Sequence, residues 1–372
     1  MQPLEGVLVL DFSTLLPGPL ATLILAEAGA EVVKIERPPR GEEMRQGKPR
    51  WGAESVNYAL LNRGKKSVVL DLKNPAERAR LKPLLGRADV LVEQFRPGVM
   101  HRLGLDYEQL AQFNPRLIYC SITGYGQDGP KRDVAGHDLN YIGDAGLLAL
   151  SMGSLAHPVL PPALVADIGG GTYPAVINIM LALVERARTG RGRHLDIAMS
   201  ENVLPWTWWA LGKLAATGVE PANGGELLTG GSPRFHLYPT RDDKLVAAAP
   251  LEQKFWEEFC DIIGLDARLR DDRRDPQGTA RRCAEIIAQE SAQTWRARFA
   301  GRDCCCSIVA TISEVVHDPH FKARGIFGHA LANEKGERIP ALPMPVVPAF
   351  RGAPTAPKAA PQLGVHTEEY LG

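Results

Sequence analysis

The chain has 372 residues, balances 43 Lys+Arg against 43 Asp+Glu, and is 45% hydrophobic, enough for one or two domains with a sizeable core. A formal net charge of zero argues against a general nucleic-acid binder, no uninterrupted apolar run reaches the length of a membrane span, and no signal-peptide pattern opens the sequence. Six cysteines are too sparse for a disulfide scaffold, so a reducing cytoplasm is the expected compartment.

The first forty residues read as strand (Gly6 to Phe12), a break at Pro17-Gly18-Pro19 with Pro19 suited to a first helical turn, helix (Leu20 to Ala28) and strand (Glu31 to Glu36). The alternation continues with strand Ser67 to Leu72, helix Pro75 to Leu85, strand Asp89 to Gln94, helix Tyr107 to Phe113 and strand Leu117 to Ile122. Strands alternating with helices predict an α/β fold, Rossmann-like, with a largely parallel sheet. The turn after the first strand is not G-x-G-x-x-G and no G-x-x-x-x-G-K-[ST] occurs, so this layout is not that of a nicotinamide dehydrogenase. Within it, Lys34 to Arg102 holds 16 Lys+Arg and 8 Asp+Glu, which leaves the remainder net acidic. A basic stretch of this kind is either a solvated face or a site for an anionic ligand.

Thr172 to Arg188 is a long apolar helix, His194 to Ala198 a further strand, and Ser200 opens a Trp-rich helix. Gly224 to Gly231 punctuates the chain. Beyond it, Arg234 to Tyr238 and Leu245 to Ala249 resemble a hairpin turning at Arg241-Asp242-Asp243, followed by helices from Glu252, Thr279 and Ala292. The domain reading is therefore 1–200 with 317–372 as a discontinuous large domain, 201–225 as a linker helix region, and 226–316 as a smaller α+β domain. Past Asp318-Pro319 the recurrence of Pro340, Pro343, Pro345, Pro348, Pro354, Pro357 and Pro361 forbids a long helix, and this tail is expected to wrap back over the first domain.

Three places carry candidate chemistry. Gly136-His137-Asp138-Leu139-Asn140-Tyr141 follows a loop that leaves a strand end, where ligands of parallel sheets bind. Alone, His137 reads more often as a structural histidine, and Asp138 as the N-cap of the next helix. Ala166-Asp167-Ile168-Gly169-Gly170-Gly171-Thr172 leads into the long helix; Asp167 is equally a cap, or a general base or nucleophile beside glycine N–H donors. Glu252 stands at a predicted helix start, where the helix dipole favours it without any catalytic role. Metal is not expected: Cys304-Cys305-Cys306 lacks C-x-x-C spacing, and His317-Asp318-Pro319-His320 has no second ligand pair. No G-x-S-x-G elbow is present.

The chain resembles the family III CoA-transferase superfamily, the carnitine dehydratase and bile-acid-inducible family. The resemblance runs through Leu4-Glu5-Gly6-Val7, Pro17-Gly18-Pro19, Val33-Lys34-Ile35-Glu36, Asn62-Arg63-Gly64-Lys65-Lys66-Ser67, Phe95-Arg96-Pro97-Gly98, Asn114-Pro115-Arg116-Leu117-Ile118-Tyr119, Thr189-Gly190-Arg191-Gly192 and His366-Thr367-Glu368-Glu369. The Gly136-to-Tyr141 segment is similar to the α-methylacyl-CoA racemase branch; Asp144, a charge where racemases usually carry an apolar residue, departs from it.

The resemblance implies a Rossmann-like large domain, a smaller domain and an interlocked homodimer, with acyl-CoA as substrate and no tightly bound cofactor. It implies CoA contacts from Arg37, Arg63, Lys65, Lys66 and Arg96, with Leu70, Leu72 and Tyr141 beside the ligand. It also implies catalysis by His137 and Asp167 on opposite faces of an enolate, support from Glu252, and Gly169 and Gly170 as oxyanion donors. In the rival reading, CoA transfer between carboxylic acids, the same Asp167 forms an acyl anhydride.

Overall fold

The protein is described here by a computed structural model covering residues 2–353 and 357–372; Pro354 of the proline-rich stretch lies outside the described residues. The chain divides into two compact units, one of Met1–Ala145, Pro161–Pro205 and Pro319–Gly372, the other of Gly146–Leu160 and Trp206–Asp318. Residues 146–160, read in sequence as part of the large domain, and 206–225, read as part of a linker, thus fall in the second unit.

The first unit is built on six strands, β1 (Leu8–Asp11), β2 (Glu31–Glu36), β3 (Lys66–Val69), β4 (Val90–Glu93), β5 (Ile118–Thr123) and β6 (His194–Ala198). They pair in the order β3-β2-β1-β4-β5-β6, every pair parallel, with Leu10 opposite both Val33 and Leu91. β1, β4 and β5 are buried throughout, which is why they read as near-continuous apolar runs rather than alternating ones. The strand order reverses between β1 and β4, and a crevice opens at that point beyond the strands' C-terminal ends.

Helix α1 (Pro17–Glu27) follows β1 with prolines in its first turn, where the missing N–H costs nothing. A Cβ on Gly18 would lie 2.2 Å from the Ser13 side chain, and the Gly18 N–H donates to Gln94 Oε1 at 3.1 Å. This helix start is thus closed by β4's own loop, in keeping with the missing dinucleotide fingerprint. Helix α2 (Asp138–Asp144) comes after β5.

Helix α3 (Tyr173–Thr189) is preceded without a break by a π-helical turn, Ala166–Thr172. The glycines of that turn admit a neighbour: a Cβ on Gly170 would stand 2.4 Å from the Met199 carbonyl oxygen of α4 (Met199–Asn202), and one on Gly171 3.1 Å from Pro17. Together, Ala166–Thr189 make 24 residues of mean hydropathy 1.3, long and apolar enough to cross a membrane by length and composition. The sequence expectation, framed on uninterrupted apolar runs, misses this segment. One face of it packs into the core: Ala175, Ile179 and Ala182 are buried against α1, β5 and β6, and Arg186 reaches Asp89 at 2.9 Å.

The C-terminal stretch returns to the sheet. Ala330–Ala332 pairs with Arg338–Pro340 as a short hairpin, and residues 366–370 cover the β3 edge. There His366 Nδ1 accepts the Ser67 N–H at 3.1 Å and Thr367 Oγ1 accepts that of Val69 at 3.0 Å, so the edge strand does not present open donors.

The second unit holds α5 (Trp208–Thr217) and an antiparallel sheet of β7 (His236–Pro239), β8 (Leu245–Ala248) and β9 (Cys306–Ile308), ordered β9-β8-β7. Helices α6 (Gln253–Ile263), α7 (Pro276–Ile287) and α8 (Ala292–Phe299) close its core around Trp256, Phe259 and Trp295. β9 is absent from the sequence reading; it holds Cys306, while Cys305 is exposed in the left-handed region at φ 50°.

Candidate active site

Two clefts open at the C-terminal edge of the large sheet, and Phe95, just past β4, lines both. The first, about 450 Å³, is walled by Arg96, Tyr125, His137, Asn140, Tyr141 and Asp167 among others. The second, about 540 Å³, lies beyond β1, β2 and β3 and is lined by Ser13, Arg37, Leu70 and Leu72 among others. Phe95 and Gln94 are wall residues that sequence reasoning passed over, although their position after a central strand was a usable signal.

His137 is the residue that caps α2. Its N–H donates to Asn140 Oδ1 at 3.0 Å, and its carbonyl accepts from the N–H groups of Asn140 and Tyr141 at 2.8 and 3.2 Å. The backbone is committed while the imidazole remains exposed at the cleft. Tyr141 is buried, its hydroxyl donating to the Gly136 carbonyl, so it holds the loop that delivers His137.

Asp167 lies half-buried on the opposite stretch of chain, and its carboxyl is pushed up to about 6. Burial is the main cause and the charge of Asp138 adds to it, while His137 acts in the other direction. Asp138 does not act as the simple cap that its position suggests. It is 5% exposed, and its Oδ1 accepts the N–H of Ala166 at 2.6 Å and that of Asp167 at 3.0 Å. The start of the π-helical turn is thereby tied to the start of α2. This bond spans 28 residues of sequence, and no local pattern announces it.

Asp144, the departure from the racemase pattern, also acquires a place. Its Oδ2 accepts from the Tyr125 hydroxyl at 2.6 Å and from Lys131 Nζ at 2.9 Å, fastening the loop after β5 to α2. The Tyr125 ring then meets Tyr141 edge-on at 5.2 Å.

Several expected contacts are located elsewhere. Arg63 and Lys65 are 2% and 3% exposed. Arg63 donates to Glu27, Leu60 and Leu342, and Lys65 to Asp11, Pro19, Thr22 and Asn62, each bond between 2.8 and 3.3 Å. With their donors committed inside the core, neither faces a ligand; both are corrected to structural cations. Lys66 is half-exposed and lies 4.0 Å from Glu369 of the C-terminal tail, outside both clefts' walls.

Gly169 and Gly170, the expected oxyanion donors, are buried in the π-helical turn and are not among the residues that wall the first cleft. Glu252 belongs to the second unit, exposed at the N-cap of α6. Among the described residues no group of three or more His, Cys, Asp or Glu is arranged to hold a metal ion.

The profile of CoA-transferase family III matches residues 4–367. The chain belongs to that family. The human alpha-methylacyl-CoA racemase is 36% identical over 99% of this chain and 92% of its own length. The succinate–glutarate CoA-transferase of Agrobacterium fabrum is 32% identical over 99% and 95%. Among solved structures, a CAIB/BAIF family protein from Brucella suis superposes with a TM-score of 0.82 at 27% identity, covering 99% of this chain and 98% of that one. Racemases and transferases both stand among the relatives of this family III chain, so membership places it in an enzyme family that uses CoA thioesters without choosing between isomerase and transferase.

Proposed function

We propose that the protein epimerises 2-methyl-branched acyl-CoA thioesters at the α-carbon by 1,1-proton transfer. The observation that carries this reading is that His137 and Asp167, 30 residues apart in sequence, line one cleft. One group, as a base, removes the α-proton, and the electron pair moves onto the thioester oxygen to form an enolate. The other, as an acid, returns a proton to the opposite face as the carbonyl re-forms. His137 and Asp167 exchange these roles with direction, so the active enzyme carries one proton between them.

In this reading the CoA nucleotide occupies the second cleft, with Leu70 and Leu72 on its wall and Arg37 at a phosphate, and the pantetheine passes Phe95. Arg96, on the first cleft, stands toward the thioester end, where its charge favours the enolate oxygen. Glu252 is assigned to support of His137 on the resemblance alone. Self-association is supported by an apolar stripe on α3, where Tyr173, Ile177, Leu181 and Val184 are 39–61% exposed at helical spacing.

A second reading, CoA transfer through an Asp167 acyl anhydride, is favoured by the accessibility of the same carboxyl and by the transferase relatives. Incubation with a single-enantiomer 2-methylacyl-CoA in heavy water separates the two. Deuterium at the α-carbon with loss of configuration is the expected result. No exchange, together with hydroxylamine trapping of acyl–Asp167 when a carboxylic acid is supplied, overturns it in favour of transfer.

A further inference from the structure

Asp138 is not itself among the wall residues of either cleft, yet it touches both arms of the site. It follows His137 directly in the chain, and its Oδ1 receives the N–H groups of Ala166 and Asp167 at 2.6 and 3.0 Å. Two donors converging on one oxygen of a 5%-exposed carboxylate fix the Asp167 backbone relative to α2. The same carboxylate places a negative charge beside Asp167, within the hydrogen-bond network that holds it.

We infer that Asp138 is a positioning residue with two separable actions: its oxygen, by accepting both N–H groups, sets the spacing of His137 and Asp167, and its charge stands beside the Asp167 carboxyl. This rests on the epimerase reading only for its kinetic consequence; the effect on Asp167 exists in the ligand-free enzyme. For an acyl chain with no stereocentre besides the α-carbon, the two acyl-CoA epimers differ little in free energy because the stereocentres of CoA are remote, so kcat/KM is nearly equal in both directions at every pH. Its profile is a bell belonging to the singly protonated His137–Asp167 pair. Easier ionisation of Asp167 moves the acid limb down and leaves the height nearly intact.

Two variants separate the actions. Asp138→Asn keeps an oxygen for the two N–H groups and deletes the charge. The Asp167 carboxyl, followed by carbon-13 NMR with Asp167→Asn as the assignment control, is expected to titrate lower by about half a pH unit or more. The acid limb of kcat/KM follows it. Asp138→Glu keeps the charge but adds a methylene; kcat is expected to fall about tenfold or more with KM little changed, and the Asp167 titration to stay within about half a unit of wild type.

An unchanged Asp167 titration in Asp138→Asn overturns the charge action. Equal titration shifts in both variants overturn the separation of the two, and if Asp138→Asn does not fold, a downward shift in Asp138→Glu is the overturning result. Because the NMR readout needs no substrate, a protein that shows no α-exchange but the expected titrations refutes the epimerase reading and leaves this inference standing.

Discussion

Two charged regions at the large sheet, one drawn from Asp11 to Lys65 and the other from Asp138 and Asp167, behave oppositely. Beneath the crevice, Asp11, Lys34, Glu36, Glu42, Arg45 and Lys65 form an ionic core with side chains at most 1% exposed. Each has a partner of opposite sign: Lys65 lies 3.0 Å from Asp11, Lys34 2.8 Å from Glu42 and Arg45 2.6 Å from Glu36. Burial alone would raise the Asp11 carboxyl, but Lys34 and Lys65 hold it well below the carboxylate range. At the cleft, by contrast, Asp167 meets burial and a like charge, and it titrates near 6. Pairing with two cations keeps Asp11 ionised through the neutral range, although burial still pushes its partner Lys65 down to about 8, whereas burial beside a like charge brings Asp167 into the working range of an acid–base group.

The sharpest way to break this contrast is at the cleft. Asp167→Asn and His137→Ala are each expected to reduce α-proton exchange by about 10²- to 10⁴-fold while circular dichroism and the denaturation midpoint keep a folded protein. A loss below tenfold in both would remove the cleft from the chemistry. The ionic core predicts the reverse pattern. Lys65→Met leaves Asp11 buried beside one fewer cation and is expected to cost about 3–5 kcal/mol in urea unfolding. Adding Asp11→Asn to Lys65→Met should restore part of that loss, and strict additivity of the two would deny their coupling.

The same contrast explains what the sequence could and could not tell. Parallel strands buried on both faces leave continuous apolar runs, so β1, β2 and β4 are visible within a residue or two. The helix expected over Pro75 to Leu85 is instead two short ones, Pro75–Ala79 and Lys82–Arg87, because Pro83 starts a new first turn. The +8 balance of Lys34 to Arg102 is real, but its meaning was hidden. Lys65 pairs with Asp11, Arg63 with Glu27, Lys66 with Glu369 and Arg80 with Glu368, all acids outside that stretch. A local charge sum cannot see partners that the fold brings from 36 or 303 residues away. His137 and Asp167 were legible as types in glycine-flanked loops. Asp138 was not, because its acceptors' partners arrive only once α2 meets the π-helical turn.

A smaller effect tests the electrostatics of Asp167 without substrate. Its folded value lies above the ordinary 3.8, so between about 4 and about 6 the native state binds more protons than the unfolded chain. Stability therefore falls as pH rises through that window. Asp167→Asn should be more stable than wild type at pH 7–8, by about 1–2 kcal/mol once solvent screening of a half-buried group is allowed for. The gain should vanish below about pH 4, where the wild-type carboxyl is neutral in both states. A stabilisation independent of pH would point to packing in place of charge.

The smallest expected effect decides which cations serve a ligand. Arg37 is 68% exposed at the second cleft, paired with Glu43 and donating from Nε to the Gly41 carbonyl at 3.3 Å, whereas Lys66 is 38% exposed and faces Glu369 at 4.0 Å. An exposed guanidinium contributes to binding through a charge-assisted bond to phosphate of about 1.5 kcal/mol, so Arg37→Ala should raise KM for the acyl-CoA about tenfold with kcat unchanged. The rise should shrink between 50 and 500 mM salt, as a solvent-facing contact requires. Lys66→Ala removes a surface pair at the edge of ion-pair range and should change stability by less than about 1 kcal/mol and KM hardly at all. A KM rise in Lys66→Ala as large as in Arg37→Ala would return Lys66 to the ligand and reduce its Glu369 contact to a resting position of a mobile side chain.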